Sequence, residues 1–261
     1  MKMKIVGVIP ARYKSTRFPG KPLADICGRP MIWWVYQQME KARGIDKVYI
    51  ATDDDRIGKV CEKENMNFIM TSDSCSTHLE RLYEVSQKID ADFYINVNGD
   101  EPLIDSRCIE DLIPVATVEG SYAANGMMIL TDPIDVFDAS KIKIATDMQG
   151  YGMYMSRSPI PYPKGRGDYS LKKFVGVQCF NKSALEFAAK TPRGYLESIE
   201  DIDEYRFLEN GHKLKFILTQ ANTLSVDTPK DLEKVRKIIN NKGGGYCKPI
   251  IPFSRERRWC A

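Results

Sequence analysis

Strand-like apolar runs alternate with helical patterns from Lys4 to Leu112, and this alternation constrains the fold more than any other feature of the chain. The runs are "KIVGVIP", "KVYIATD", "NFIMTSD" and "DFYINVNGDEP". The first is continuously apolar, as a strand buried on both faces must be. Between the runs lie helices. Pro30 suits the first turn of one that runs to about Lys41. "DDRIGKVCEKEN" starts with acids, "THLERLYEVSQKI" takes Thr77 as its cap, and "SRCIEDLIPVAT" follows the fourth run. This order predicts an α/β fold with a mostly parallel sheet and helices on both faces. In such a sheet ligands sit outside the carboxyl ends of the strands. The informative segments are therefore 10–21, 52–55, 71–81 and 98–101.

The second half is less regular. "SYAANGMMI", "KIKIAT", "YGMYMS", "KKFVGVQCF" and "KLKFILT" read as strands, some of them antiparallel. "KSALEFAAK" reads as a helix, and "SIEDIDEYRFLEN" as another ending at Gly211. "TPKDLEKVRKIINN" is a helix with Thr228 as its cap and Pro229 in its first turn.

Past the first run stands "IPARYKSTRFPGKPL", with Arg12, Lys14, Arg17 and Lys21 and no acid until Asp25. Most such runs only solvate a loop. Here Pro10, Pro19, Gly20 and Pro22 stiffen the segment. Arg12, Arg17 and Lys21 held stiffly beside a strand end suit a triphosphate. GxxxxGK[ST] is absent, so this is not a Walker A loop. After the fourth run, Asp100 and Glu101 follow a glycine. Read plainly they are a solvated turn; read as chemistry, they offer a ligand to a hard cation such as Mg²⁺, which takes one or two carboxylates plus substrate phosphates. Asp227, in "TLSVDTPKDLE", is by itself an ordinary helix-start residue. Paired with Asp100 it completes a site for metal and phosphate.

"IPARYKSTRFPGKPLADICGRPMI", "NVNGDEPLI", "GYGMYMSRSPIP" and "VDTPKDLEKVR" together resemble the ordered motifs of the CMP-Kdo synthetases, the 3-deoxy-manno-octulosonate cytidylyltransferases, over about residues 4–240. The resemblance implies a Rossmann-like nucleotidyltransferase fold with a smaller mixed α+β subdomain. It implies one domain over 1–240, with about 120–215 binding the acceptor and making a homodimer, and a tail over 241–261. It implies that CTP and a sugar-acid hydroxyl give a CMP-sugar and pyrophosphate for cell-surface polysaccharide synthesis. Asp100 and Asp227 are then the Mg²⁺ ligands, and Arg12 and Lys21 complete the catalytic set. Ala11, Ser15, Arg17, Thr77, His78, Arg81, Asn98 and Gly99 fall on the nucleotide side. Arg81, Asn98, Arg157, Phe174, Gln178, Asp203 and Glu204 fall on the acceptor side, where Arg157, kept from the family's pattern, offers a grip on an acid group.

Departures from the family pattern gather on the acceptor side. "CSTHLER" puts His78 and Leu79 where the family has Gly-Thr. Asn98 replaces Gln, Phe174 replaces His, Gln178 replaces Tyr and Asn181 replaces Arg. In "IDEYR", Glu204 stands where the family has an amide. An extra acid favours an acceptor with an amine or more hydroxyls. The changes therefore point to an acceptor other than Kdo itself: a related nonulosonate, an amino sugar acid or a phosphorylated small molecule. His78 reads either as a surface or capping residue or as a contact to the ligands. Other nucleotide bases, and a paralogue that binds nucleotide without catalysis, also remain as alternatives.

Bulk properties exclude several classes. A formal charge of +3 over 261 residues is too small for wholesale nucleic-acid binding. No apolar run is long enough to span a bilayer, and the N-terminal run breaks at Pro10 and Arg12 without a cleavage site. Seven scattered cysteines without a CxxC pair point to reduced thiols in a cytoplasm. Two histidines cannot build a His-rich metal site.

Overall fold

The first apolar run becomes strand β1 (Ile5–Ala11), and alternate residues of it serve two different cores. Ile5 and Ile9 pack with Ile32, Val35, Tyr36 and Met39 of helix α1 (Met31–Lys41). Val6 and Val8 pack with Leu79, Leu82 and Val85 of helix α3 (His78–Lys88). Each fully buried aliphatic side chain contributes about 1.5–3 kcal/mol, which fixes both helices on opposite faces of the strand. The computed structural model describes residues 2–14, 18–165, 169–220 and 223–242. Ser15, Arg17 and the tail from 243 onward lie outside the described residues.

Between β1 and α1 the chain makes a 3-10 turn at Lys21–Leu23 and a two-residue hairpin, β2 (Asp25–Ile26) and β3 (Arg29–Pro30). Pro30 is the N-cap of α1 and not its first turn. Then follow β4 (Lys47–Thr52), α2 (Asp55–Lys63), β5 (Phe68–Met70), α3, β6 (Phe93–Val97) and α4 (Ser106–Glu110). The second half contributes β7 (Ala123–Ile129), α5 (Pro133–Phe137), β8 (Lys143–Thr146), β9 (Gly152–Ser156), β10 (Lys172–Phe180) and α6 (Lys182–Lys190). It closes with α7 (Tyr195–Glu200), α8 (Tyr205–Leu208), β11 (Leu214–Leu218) and α9 (Pro229–Lys242).

The strands of the main sheet run in the order β11-β7-β10-β6-β1-β4-β5, with β8 and β9 attached beside β10. The β1–β4, β1–β6, β4–β5 and β11–β7 pairs are parallel. β10 runs antiparallel between β6 and β7. The architecture is thus α/β with a mostly parallel centre and a mixed second half, as the sequence pattern predicts.

Two further helical expectations change. "SIEDIDEYRFLEN" is not one helix: Asp201 takes a left-handed backbone (φ 52°) and splits it into α7 and α8. α4 stops at Glu110, well short of its predicted end. Helix α9 docks through Leu232, Val235 and Ile239 on Ile26 and Met31, with Val226 in the same cluster. Cys61, Cys75 and Cys179 are free thiols, as expected, whereas Cys27 is disulfide-bonded and departs from that expectation. Among the described residues no helix is long and apolar enough to cross a membrane.

Candidate active site

β4, β1 and β6 lie side by side in parallel, so their carboxyl ends share one edge. The segments leaving β1 and β6, with the start of α3, wall a cavity of about 410 Å³. Ala11, Arg12, Lys14, Lys21, His78, Arg81, Asn98, Gly99 and Asp100 line it. That volume lies in the range of pockets for drug-sized ligands, about 300–1,000 Å³. The two strand ends close up because residue 99 is glycine: a Cβ there would stand 2.8 Å from the backbone oxygen of Pro10. Gly99→Ala is therefore expected to push the ends apart, costing about 1–3 kcal/mol of stability. A melting curve with and without nucleotide checks this, and an unchanged curve would count against the close approach.

Lys21 reaches the centre of the site from the 3-10 turn. Its ammonium lies 2.6 Å from Asp100 Oδ2, 3.0 Å from the Val226 carbonyl and 3.9 Å from Asp227 Oδ1. Asp227 arrives from the far end of the chain because the Val226 amide donates to the Asp100 carbonyl at 2.8 Å. A cation bridging two carboxylates marks a place where a small divalent ion also fits. Among the described residues no group of three or more His, Cys, Asp or Glu side chains converges as a metal site. A two-carboxylate site therefore suits an ion that completes its shell with phosphates and water.

Arg12 donates to the carbonyls of Cys75 and Ser76, tying the end of β1 to the loop before α3. Thr77 caps α3: its hydroxyl accepts from the Glu80 amide at 3.2 Å, and Glu80 closes the capping box. The hydroxyl is thus committed to the helix. Arg81 is buried and paired with Asp53 at 3.0 Å and with the Thr71 hydroxyl.

A second cavity, of about 160 Å³, adjoins the first and shares Asn98 and Asp100 with it. Glu101, Lys141, Lys173, Phe174, Gly176, Thr223, Ser225 and Asp227 also line it. β10 bulges against β7 between Phe174 and Gln178, where the Gly176 carbonyl accepts from the Asn98 amide at 2.9 Å. Burial, with the charge of Asp100, pushes the Glu101 carboxyl up to about 7, and the Thr223 hydroxyl works against that shift.

Four residues placed on the acceptor side by resemblance line neither cavity. Arg157 donates to the carbonyls of Glu200, Ala139 and Asp201 at 2.6, 3.1 and 2.9 Å, so its guanidinium serves the backbone. Gln178, Asp203 and Glu204 stand behind His78 as a polar chain. Asp203 Oδ2 lies 2.8 Å from His78 Nδ1, and Glu204 Oε1 lies 3.4 Å from Nε2, an ionic contact without hydrogen-bond geometry. Gln178 donates to Glu204 at 3.2 Å and accepts from Asn96, which donates in turn to Asn98 at 3.0 Å. The charge of Glu204 faces His78 and not a ligand cavity. What the cavity meets at that point is a cation.

Burial drives the His78 imidazole toward neutrality, but Asp203 and Glu204 outweigh it and hold its pKa at about 10. Burial likewise works against the Asp203 charge, and His78 holds that carboxyl below its usual range. A folded pKa raised above the ordinary 6.5 stabilises the protein fully below pH 6.5, and the contribution is lost as pH rises toward 10. The melting temperature of the native chain is expected to fall relative to His78→Asn across that window. A difference between the two that stays constant from pH 6.5 to 10 would show that His78 is not held as the imidazolium.

Lys141, Lys173, Thr223 and Ser225 were not singled out by the sequence. Their only local signal was polar character beside otherwise apolar strands, which an ordinary surface also gives.

A cationic cavity that adjoins a smaller one at Asn98 and Asp100, with Lys21 set between Asp100 and Asp227, is the kind of site a nucleotidyltransferase requires. Comparison with known proteins narrows the class. The family model described as cytidylyltransferase matches residues 6–216, and the chain belongs to that family. It is 36% identical over 245 residues to the 3-deoxy-manno-octulosonate cytidylyltransferase 2 of Hydrogenovibrio crunogenus, covering 91% of this chain and 99% of the relative. It is 39% identical over 238 residues to the 8-amino-3,8-dideoxy-manno-octulosonate cytidylyltransferase of Shewanella frigidimarina, covering 89% and 97%. A solved CMP:2-keto-3-deoxy-manno-octonic acid synthetase complexed with CTP superposes with a TM-score of 0.84 at 34% identity, over 92% of this chain and 99% of that one.

Proposed function

We propose that this cytidylyltransferase transfers CMP from CTP to an octulosonate-type sugar acid and releases pyrophosphate, as a step toward cell-surface polysaccharide. The observation that carries the reading is the meeting of the two cavities at Asn98 and Asp100. CTP fills the larger, with Arg12, Lys14 and Lys21 against its phosphates, and the acceptor enters the smaller. The acceptor's hydroxyl oxygen attacks the α-phosphorus. A new P–O bond forms, the bond to the bridging oxygen of the β-phosphate breaks, and pyrophosphate leaves with that electron pair. The hydroxyl proton passes to water. Positioning and charge do most of the work in such a transfer. Asp100 and Asp227 fit Mg²⁺, which when bound supplies charge neutralisation on the phosphates. Lys21, which bridges the two acids, then turns its ammonium to the phosphates. His78, held cationic, adds positive charge to the larger cavity's wall.

Both kinds of relative named above act on an octulosonate acid, which supports an acid as the acceptor. An apolar cavity of about 660 Å³ between Pro133, Phe137, Tyr162 and Leu171, beside exposed Ile134, supports a homodimer through residues 120–215. We place the enzyme in the cytoplasm, with neither nucleic acid nor membrane as partner.

The test is pyrophosphate release by the purified protein with Mg²⁺, each of the four ribonucleoside triphosphates, and 3-deoxy-manno-octulosonate or its 8-amino form. Release is expected with CTP and one of these acids and is expected to stop in chelator. Equal release with all four triphosphates, or none with either acid, would overturn the reading.

A further inference from the structure

The turn between α5 and β8 is pinned from within by two cations. Lys143, fully buried, donates to the carbonyls of Asp138, Lys141 and Arg157 at 2.8, 2.7 and 2.7 Å. Arg157 adds a bond to the Ala139 carbonyl at 3.1 Å and spreads its other nitrogens over Glu200 and Asp201. Three consecutive-turn carbonyls (138, 139 and 141) are therefore held by charged donors, each stronger than a neutral one. Such a turn presents residue 141 in a set position, with little ordering left to do when a ligand arrives.

Residue 141 is a lysine on the smaller cavity. Among the described residues its amine has neither a hydrogen-bond nor an ion-pair partner. The second cation of that cavity, Lys173, is part-committed, 3.3 Å from Asp135 Oδ2. Several other cations near the site are already engaged. Arg81 is paired with Asp53, His78 with Asp203, and Arg157 with backbone carbonyls. Arg206 is paired with Glu197. Three acids line the cavity, Asp100, Glu101 and Asp227; of these, buried Glu101 feels both lysines electrostatically, and Lys141 also feels Asp138 of its own turn. The Glu101 carboxylate also takes the Thr223 hydroxyl. Phe174 and Gly176 supply apolar lining, which strengthens any ion contact made against it. At about 160 Å³ the cavity is below the size of a whole drug-like pocket, so it seats one end of an acceptor.

We propose that Lys141, seconded by Lys173, is the specificity-determining contact for the anionic group of the acceptor, and that Lys143 and Arg157 are the positioning residues that hold it there. The inference rests on the reading above that the smaller cavity takes the acceptor. It moves the acid-gripping role from Arg157, whose guanidinium is spent on the fold, to a lysine on an irregular turn.

The test compares the native enzyme with Lys141→Ala, Lys141→Arg and Lys173→Ala, at saturating CTP and Mg²⁺, with 3-deoxy-manno-octulosonate as the varied acceptor. Lys141→Ala is expected to raise the acceptor KM by at least about tenfold, the loss of one charge-assisted contact. The KM for CTP is expected to stay within about twofold, and Lys141→Arg is expected to recover most of the loss. With the methyl ester of the same acid, native enzyme and Lys141→Ala should no longer differ. An acceptor KM within about twofold of native in both alanine variants would overturn the inference and leave the proposed reaction standing. If the native enzyme uses no octulosonate, the reaction falls by itself. Saturation-transfer NMR with pyruvate and with inorganic phosphate then decides the inference. Binding lost in Lys141→Ala upholds it, and binding that is absent or independent of Lys141 ends it.

Discussion

Asp100→Asn is expected to lower the turnover of pyrophosphate release by at least about a thousandfold, with a smaller change in the KM for CTP. The carboxylate stands at the junction of the two cavities and holds the Lys21 ammonium at 2.6 Å. An amide keeps the shape and the backbone bond to Val226 but removes the charge that fixes both Lys21 and a divalent ion. Asp227, 3.9 Å from the same ammonium, cannot hold them alone. Steady-state pyrophosphate release, set beside a melting curve showing the variant folded, measures the effect. A folded variant that keeps more than about a tenth of native turnover would remove Asp100 from the catalytic set.

The largest effect on stability is expected at Arg206→Met. The guanidinium is buried against Glu197, which is itself fully buried, through a two-point contact, and a third nitrogen donates to the Ala188 carbonyl at 2.8 Å. Removing Arg206 leaves buried Glu197 with the partly exposed Arg193, 3.2 Å away, and costs about 3 kcal/mol, the low end for breaking a buried pair. In a domain of this size each kcal/mol moves the melting temperature by about 2–4 °C, so a fall on the order of 10 °C is expected. Replacing Glu197 by Leu in the same chain should recover a good part of it, since both charges then leave together. A single variant that melts within about 2 °C of native would show that the pair does not support α8. The consequence for activity is indirect. Asp203 and Glu204 immediately precede α8, so a loosened α8 releases the two carboxylates that keep His78 charged.

The larger cavity was legible because its residues are local. Arg12 and Lys21 belong to one proline-punctuated segment, and Asp100 follows a mostly apolar strand, so strand-end logic brings them together. The cap at Thr77 was equally visible, and the structure adds Glu80 as the other half of a capping box. Asp227 was the weaker reading, an ordinary helix-start residue until paired with Asp100: its approach depends on the backbone bond from Val226 and on the docking of α9. The acceptor half was not readable. Asp201 in a left-handed conformation breaks a pattern that looks helical throughout, and the break sets Asp203 and Glu204 behind His78 instead of in a cavity. Arg157 looked like an acid-binding arginine, yet three carbonyls compete for it and win. Lys141 carried no motif, because its position depends on Lys143 and Arg157, which no spacing rule connects to it.

The bond from Val226 to Asp100, with Lys21 donating to the same Val226, ties residues 205 positions apart into one small cluster. A chain emerging from the ribosome therefore has its cationic loop and its first carboxylate long before its second. Any fragment ending ahead of residue 226 lacks Asp227 and the anchor for Lys21, however well its β1–β6 sheet has formed. Partly made chains are therefore expected not to close on CTP, and nucleotide capture is expected to be a late event that reports the docking of α9. Stopped-flow refolding with a fluorescent CTP analogue should accordingly show the sheet forming first and the nucleotide bound only in the last phase.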